Sequence, residues 1–363
     1  MAKRITLTSQ QASNLTNKEL EEIEKKIRSI YKQATLEAEQ KLKKHLEQFA
    51  DKDKAKRDAL DLVYKKYKKG NITYTEYRDA KNKYEKWYIN QIMTGKRWES
   101  LKNTLAEDMV NASRIAESVI NGHIADAYAI NFNYMVYEFE TTTFTDTFIP
   151  LYDKYAMEYI LRENPDLLPQ YKIDIPKQLK WNKQKINSAI MQGILQGESI
   201  DKMAKRLRSV TDMNYKASIR NARTASGAAA NRGKIDSFNR IKDLGYNIKK
   251  QWISTLDNRT RHEHRLLMGQ TVDLGEPFRI DGYELEYPCD PNAKLKDLLG
   301  SEKAVNVIKA APEMIYNCRC VIVGILEGFE KTIEDFNYQQ NPKLNGMSLE
   351  EWRNAKPVYR KVV

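Results

Sequence analysis

The stretch Asn247–Gly269, NIKKQWISTLDNRTRHEHRLLMG, is where the chain changes character. Its first nine residues alternate apolar and polar around Trp252 and Ile253, which predicts a strand. RTRHEHRLLMG then reads as one short helix. Downstream, RIDGYELEYP sets Asp281-Gly282 between alternating residues, the strongest short hairpin signal. CVIVGIL, Cys320–Leu326, reads as a short apolar strand, and NAKLKDLLGSEKAVNVIKAAP before it as one or two helices. Residues 247–326 therefore form a small α+β module.

Upstream the spacing is helical. Residues 16–48 read as a long helix opened by a capping box at Thr16 and Glu19. FADKDKAKRD is a polar break. A helical hairpin follows, with one arm ending at Gly70 and the second restarting on a capping box at Thr73 and Glu76 and running toward Trp98. Residues 99–138 read as another long helix, closed by TTTFTDTFIP. Two shorter helices flank RENPDLLPQ. Two helical arms then meet at Gly197, with Ser199 capping the second, and a further helix carries ARTASGAAANRGKIDSFNRIKDLG to Gly245. The fold class is mainly α with a small C-terminal α+β module. Its regions are 1–150 (long helices and hairpin), 151–246 (helical lead-in), 247–326 (the module) and 327–363 (a polar tail with one helix from Ser348).

Of 363 residues, 61 are Lys or Arg and 49 Asp or Glu, a formal charge of +12. That balance favours polyanionic partners without choosing among them. No apolar run approaches the ~20 residues of a membrane-spanning helix, and the N-terminus lacks a signal-peptide pattern, so a protein made and used in the cytosol is expected. In the hairpin, Lys65, Lys66, Lys68, Lys69, Lys81, Lys83 and Lys86 interleave with tyrosines and tryptophans. Two readings stand: a polyanion-binding surface with stacking platforms, or packed tyrosines with lysines on the solvated face.

All three cysteines, Cys289, Cys318 and Cys320, lie in the module, too few for a disulfide framework. His262 and His264 are two apart, so on a helix they point roughly 200° from each other. His264 alone would join the cysteines as a Cys3His set that zinc accepts; in a strand, Cys318 and Cys320 would face one side together. C-x-C is shorter than the common zinc spacing, and buried small hydrophobes with a locally bonded His264 read as well. Both alternatives stay open. Asp257 beside Arg259 and Arg261 suits an ion pair better than a phosphate site. The zinc-deaminase pattern, H-E-x-x-H, a phosphate loop and a helix-borne thiolate are all missing.

Taken together, WISTLDNRTRHEHRLLMGQ and NCRC resemble the phage Mu F-like family of minor head proteins of tailed phages. The positions that carry the resemblance are Trp252, Thr255, Asp257, Arg259, Thr260, Arg261, His264, Leu267 or Leu266, Gly269, Asn317, Cys318, Arg319 and Cys320. GILQGESIDKMAKRL and ARTASGAAANRG resemble the family's helical lead-in, although Ala225 stands where the family has an acidic residue. The resemblance covers about 185–325, with an insertion between Gly269 and NCRC.

It implies a low-copy component of the capsid interior, reached from the host cytoplasm during assembly. The implied role is head morphogenesis, with a part in DNA packaging or ejection. The implied partners are the portal protein, the major capsid or scaffolding protein, and double-stranded DNA bound without sequence preference. Zinc is the one cofactor considered, and no small-molecule substrate is evident. Some relatives carry toxin enzymes after this module; the short polar tail here leads us to expect no enzyme. The alternative is a nuclease- or transferase-type enzyme using Asp257, Arg259 and His264.

Overall fold

Three long helices dominate: α1 (Gln10–Glu47), α4 (Gly95–Thr143) and α7 (Ile200–Asp243). Between them lie α2 (Ala50–Lys68), α3 (Tyr74–Ile92), α5 (Lys154–Glu163) and α6 (Ile175–Leu195). The computed structural model describes residues 5–8, 10–164, 167–168, 171–295, 305–306, 311–328, 342–344 and 346–357. It confirms a mainly helical chain with a small sheet region.

Glycines mark the helix ends as read: Gly70, Gly197 and Gly245 take φ of 76°, 64° and 93°, a left-handed backbone that costs glycine nothing. Thr73 and Glu76 form the reciprocal capping box. The other box is absent. Thr16 lies inside α1 and its hydroxyl donates back to the Ala12 carbonyl at 2.9 Å, because the helix begins six residues earlier than its capping signature suggested. The polar break shrinks to Gln48 and Phe49. The second hairpin arm stops at Ile92, so Trp98 belongs to α4.

The lead-in helices after Gly197 are one helix, α7, of 44 residues. TDMNYKASIRN (Thr211–Asn221) looked like a link, but it holds neither glycine nor proline to stop propagation. Three of its polar residues, Thr211, Asn214 and Ser218, are buried and paired. Thr211 bonds Thr35 at 2.7 Å, Asn214 donates to Asn182 at 2.9 Å, and Ser218 meets the Tyr31 hydroxyl at 2.8 Å. Satisfied in this way, they carry no desolvation penalty.

The chain divides into two compact units. Residues 26–117 and 172–218 form one, with a core that includes Leu42, Trp98, Ile190 and Leu207. The other comprises 1–25, 118–171 and 219–363 and contains both sheets. In the first sheet, β1 (Ile5–Leu7), β8 (Val321–Leu326), β2 (Ile248–Ile253) and β3 (Thr271–Asp273) lie side by side in that order, all antiparallel. In the second, β4 (Phe278–Ile280), β5 (Tyr283–Leu285), β6 (Lys294–Leu295) and β7 (Val305–Asn306) run consecutively.

The Asp281-Gly282 hairpin joins β4 to β5 with φ of 46° and 81°. Lys294–Leu295 and Val305–Asn306 are strands where helix was expected; residues 296–304 and 307–310 of that segment lie outside the described residues. Among the described residues, α8 (His262–Leu267) and α9 (Leu349–Ala355) follow, the latter opened by the Ser348–Glu351 capping box. From α9, Trp352 Nε1 donates to the fully buried Glu140 at 2.6 Å, and Lys356 pairs with the same carboxylate at 2.6 Å.

α7 seats the first sheet. Phe238 lies where a Cβ on Gly324 would come within 2.8 Å, so the strand is smooth at that point. Gly233 gives an equally close approach between α7 and α4: a Cβ there would meet the Tyr128 carbonyl oxygen at 2.5 Å. Backbone cannot swing aside as a side-chain tip does. Gly233→Ala is therefore expected to lower the stability of this unit by about 1–3 kcal/mol from overpacking, despite alanine's better helix propensity. Urea unfolding measures it; an unchanged or raised midpoint would show that the two helices separate freely.

Candidate functional site

β2 carries Ile248, Lys250 and Trp252 inward, as its alternation requires. The buried ammonium of Lys250 donates to the Glu286 carbonyl at 3.0 Å and lies 5.3 Å from the Phe278 ring centre. Burial pulls its pKa down to about 8. Trp252 is fully buried, edge-on to both Phe278 and His264. Its indole donates to Ser254 Oγ at 2.9 Å, and Ser254 Oγ donates to the His264 carbonyl at 2.5 Å. The strand thus fixes the helix that bears the histidine.

The loop between β2 and α8 is tied into a knot of hydrogen bonds. Asp257 accepts two bonds from Arg319, at 2.6 and 2.7 Å, and one from the Arg259 amide at 2.9 Å. The Thr260 hydroxyl takes the Asp257 amide at 3.2 Å and donates to the Thr255 carbonyl. The Thr255 hydroxyl in turn donates to the Arg319 carbonyl at 3.2 Å. Arg261 donates to the Tyr316 carbonyl at 2.5 Å, and Arg265 reaches back to the Asp257 carbonyl at 2.7 Å. Gly269, at φ 81°, donates its amide to the Trp252 carbonyl at 2.8 Å and returns the chain to β2. Arg319 holds the Asp257 carboxyl well below the usual carboxylate range. The ion pair expected of Asp257 exists, but its main partner is the arginine between the cysteines; Arg259 stands 3.6 Å off as a secondary one.

Opposite this knot, Asn317 adopts a left-handed φ of 58° and its amide donates to Thr224 Oγ1 on α7 at 2.9 Å. Cys318–Cys320 lie ahead of β8, which begins at Val321, so a strand is not what makes the two thiols converge. The turn at Asn317 and the anchored Arg319 do so. Asn231, buried in α7, donates to the carbonyls of Pro288 and Cys320 and accepts the Ile322 amide at 3.1 Å. It pins the cysteine turn and the Cys289 loop to one helix.

His264 is buried and His262 exposed, as their spacing required. His264 Nε2 lies 3.1 Å from the Met314 carbonyl, which can only accept, so Nε2 carries the proton. In the neutral ring Nδ1 is then a lone pair, and it lies 3.5 Å from both Cys318 Sγ and Cys320 Sγ. The three donor atoms fall within 4.8 Å of one another. Cys289 stands beside this group. Its thiol is 3.5 Å from the Cys318 carbonyl oxygen, in space left by Gly227, where a Cβ would come within 2.8 Å of the sulfur. Contact with the Cys289 thiol, together with burial, pushes Cys318 above the usual thiol range; contact with Cys318, together with burial, does the same to Cys320. Neither is a poised thiolate nucleophile.

Residues 184–323 match the family model described as phage Mu protein F like protein. Over this C-terminal part the chain is similar to the phage Mu F-like family. Minor head protein GP7 of Bacillus phage SPP1 is 24% identical over 314 residues, covering 85% of this chain and 87% of that protein. The NAD(+)–arginine ADP-ribosyltransferase EFV of Enterococcus faecalis is 28% identical over 169 residues, or 47% of this chain; the chain spans only 31% of that protein. No solved structure matches. The motif positions of this Mu F-like chain are the members of the knot: Trp252, Thr255, Asp257, Thr260, Arg261, Gly269, Asn317 and Arg319 each make a bond that shapes the turn around the His–Cys cluster.

Sequence reading missed Ser254, Asn231 and the Met314 carbonyl, although a lone asparagine in the small-residue run AAANRG was a signal for a buried anchor. It also missed a second cluster. His123 is buried, with Nε2 3.1 Å from Ser226 Oγ and Nδ1 3.7 Å from Glu19. Asp126 completes the group and is paired with Lys154 at 3.2 Å. This cluster borders a cleft of about 260 Å³.

Asp257→Asn should loosen the knot by removing the charge that holds Arg319. Because the folded-state pKa of Asp257 is depressed, its contribution is complete above the unfolded value of about 4 and is lost as pH falls through and below it. The gap in urea midpoint between the parent and the variant should therefore be widest near neutrality and close as pH drops from 4 toward 2. A gap independent of pH would show that the carboxylate's charge plays no part.

Proposed function

We propose that this protein is a structural component of the interior of a tailed-phage head, bound at or near the portal and acting in head morphogenesis. The observation that carries the reading is the likeness to a minor head protein across most of both chains, joined to the family match over the module. The residues that an enzymatic reading would use support it further. Asp257 is neutralised by Arg319, Arg259 lies beside that pair, and His264 spends its Nε2 on a backbone carbonyl. The likeness to the ADP-ribosyltransferase extends over too little of that protein to bring its activity here.

The charge of +12 suits a surface packed against duplex DNA, neutralising phosphates without reading bases. The α2–α3 hairpin is the candidate contact. Its rings are spent on one another: Tyr67 stacks on Tyr77 at 5.4 Å, and Tyr64 meets Tyr77 at 5.3 Å. Lys65, Lys66, Lys68, Lys69, Lys83 and Lys86 are exposed, while Lys81 is half-buried and paired with Glu85 at 3.5 Å. The hairpin therefore offers charge rather than stacking platforms.

Expressed with the portal and scaffolding proteins of its phage, the protein should co-sediment with portal or procapsids. Absence from both particles and assembly intermediates would refute the assignment. Duplex binding should weaken by about 10³–10⁵ between 50 and 200 mM salt if 6–10 phosphates are contacted. Replacing the six exposed hairpin lysines by glutamine should flatten that dependence. Affinity indifferent to salt would remove DNA from the list of partners.

A further inference from the structure

The His–Cys cluster has the dimensions of a metal site. A tetrahedral zinc with Zn–S near 2.3 Å and Zn–N near 2.0–2.1 Å sets sulfur and nitrogen about 3.5 Å apart. His264 Nδ1 is 3.5 Å from each of Cys318 Sγ and Cys320 Sγ. A neutral imidazole offers one lone pair and a single S–H fills it, so only one of these two contacts is a hydrogen bond to Nδ1; the Cys320 thiol also lies 3.6 Å from Ser254 Oγ. A cation between the three atoms uses that lone pair and both sulfurs at once.

The surroundings are those of a ligand set held ready. The Nε2–H bond to Met314 fixes both the ring orientation and the tautomer, as the outer partner of a metal-bound histidine does. The Cys320 amide points at Cys318 Sγ at 3.4 Å, a donor suited to a thiolate. Arg319, clamped by Asp257, fixes the backbone between the two cysteines. Cys289, touching Cys318, sits in a loop held by Asp290, whose carboxylate takes the Glu286 and Asn292 amides at 3.0 and 2.8 Å. All four side chains are buried, between 1% and 6% exposed, so the set closes without solvent. The second sheet, built of strands of two or three residues, has little core of its own, which is the setting in which a structural metal replaces packing.

We propose that His264 Nδ1 and the thiolates of Cys318 and Cys320 hold a structural Zn²⁺, with Cys289 as the fourth ligand. On binding, the three thiol protons pass to solvent and no redox partner is needed. The site stands whether or not the protein occupies a phage head.

The test is elemental analysis of the full-length protein, expressed in zinc-supplemented medium and purified without chelators. The parent and His262→Ala, whose ring is exposed, should each carry about one zinc per chain. Cys318→Ser and Cys320→Ser should carry less than about a tenth of that, and Cys289→Ser should lose its metal to a chelator that the parent withstands. Should the serine variants fail to fold, the parent is unfolded, stripped and refolded with Co²⁺, where a thiolate-to-cobalt charge-transfer band is expected. A metal-free parent with no such band, or zinc retained by Cys320→Ser, overturns the proposal.

Discussion

The bidentate pair between Asp257 and Arg319 is the contact on which the C-terminal module turns. It joins residues 62 apart in sequence and sets the arginine's two cysteine neighbours on either side of a fixed backbone. A monodentate lysine would leave that turn free to rotate, whereas the planar fork of an arginine on a carboxylate fixes direction as well as distance. Thr255, Thr260 and Arg261 reinforce the closure from the same loop. The motif is therefore better understood as a clasp than as a set of reactive groups: nearly every polar residue in it is bonded to backbone or to another member. The sulfurs and the imidazole nitrogen between them make only long contacts, of 3.4–3.6 Å.

How much of this was legible in the sequence depends on range. Signals that act within four residues were read well: the Asp281-Gly282 hairpin, the glycine ends at Gly70, Gly197 and Gly245, the capping box at Thr73 and the helix start at Ser348. The Thr16 box failed because a capping signature is also an ordinary pair of helical residues when the helix has already begun. α7 was divided in two because buried polar residues look the same in sequence as exposed ones; only their partners on other helices tell them apart. β1 has three residues and no periodicity to show. Lys294–Leu295 was taken for helix because its pairing partner is β5, which no local pattern reveals.

At the site, His264, Cys318 and Cys320 were picked out by residue type, and their convergence was credited to strand geometry. It comes instead from the left-handed turn at Asn317 and the anchoring of Arg319. The role of Asp257 was read correctly as an ion pair, with Arg259 as one partner, but its closer partner, Arg319, was missed because proximity in sequence favoured Arg259 and Arg261. Asn231 escaped notice because three of its bonds reach segments far along the chain. The boundaries of the module were read from its strand and hairpin patterns, and the resemblance added the motif positions whose bonding is now seen.

The pairing of β1 with β8 has a consequence for the order in which the protein is made. Ile5 faces Leu326 and Leu7 faces Gly324, so β1 leaves the ribosome long before the strand it pairs with. At roughly 5–20 residues per second, about 15–60 s of synthesis separates the two. β2 emerges between them and can pair with β8 at once, leaving β1 to add to an edge already formed. Closing so long a loop costs little more than closing one half its length. The N-terminal strand therefore acts as a latch that engages only after the cysteine turn and β8 are in place, and its docking marks a chain translated to the end of its sheet.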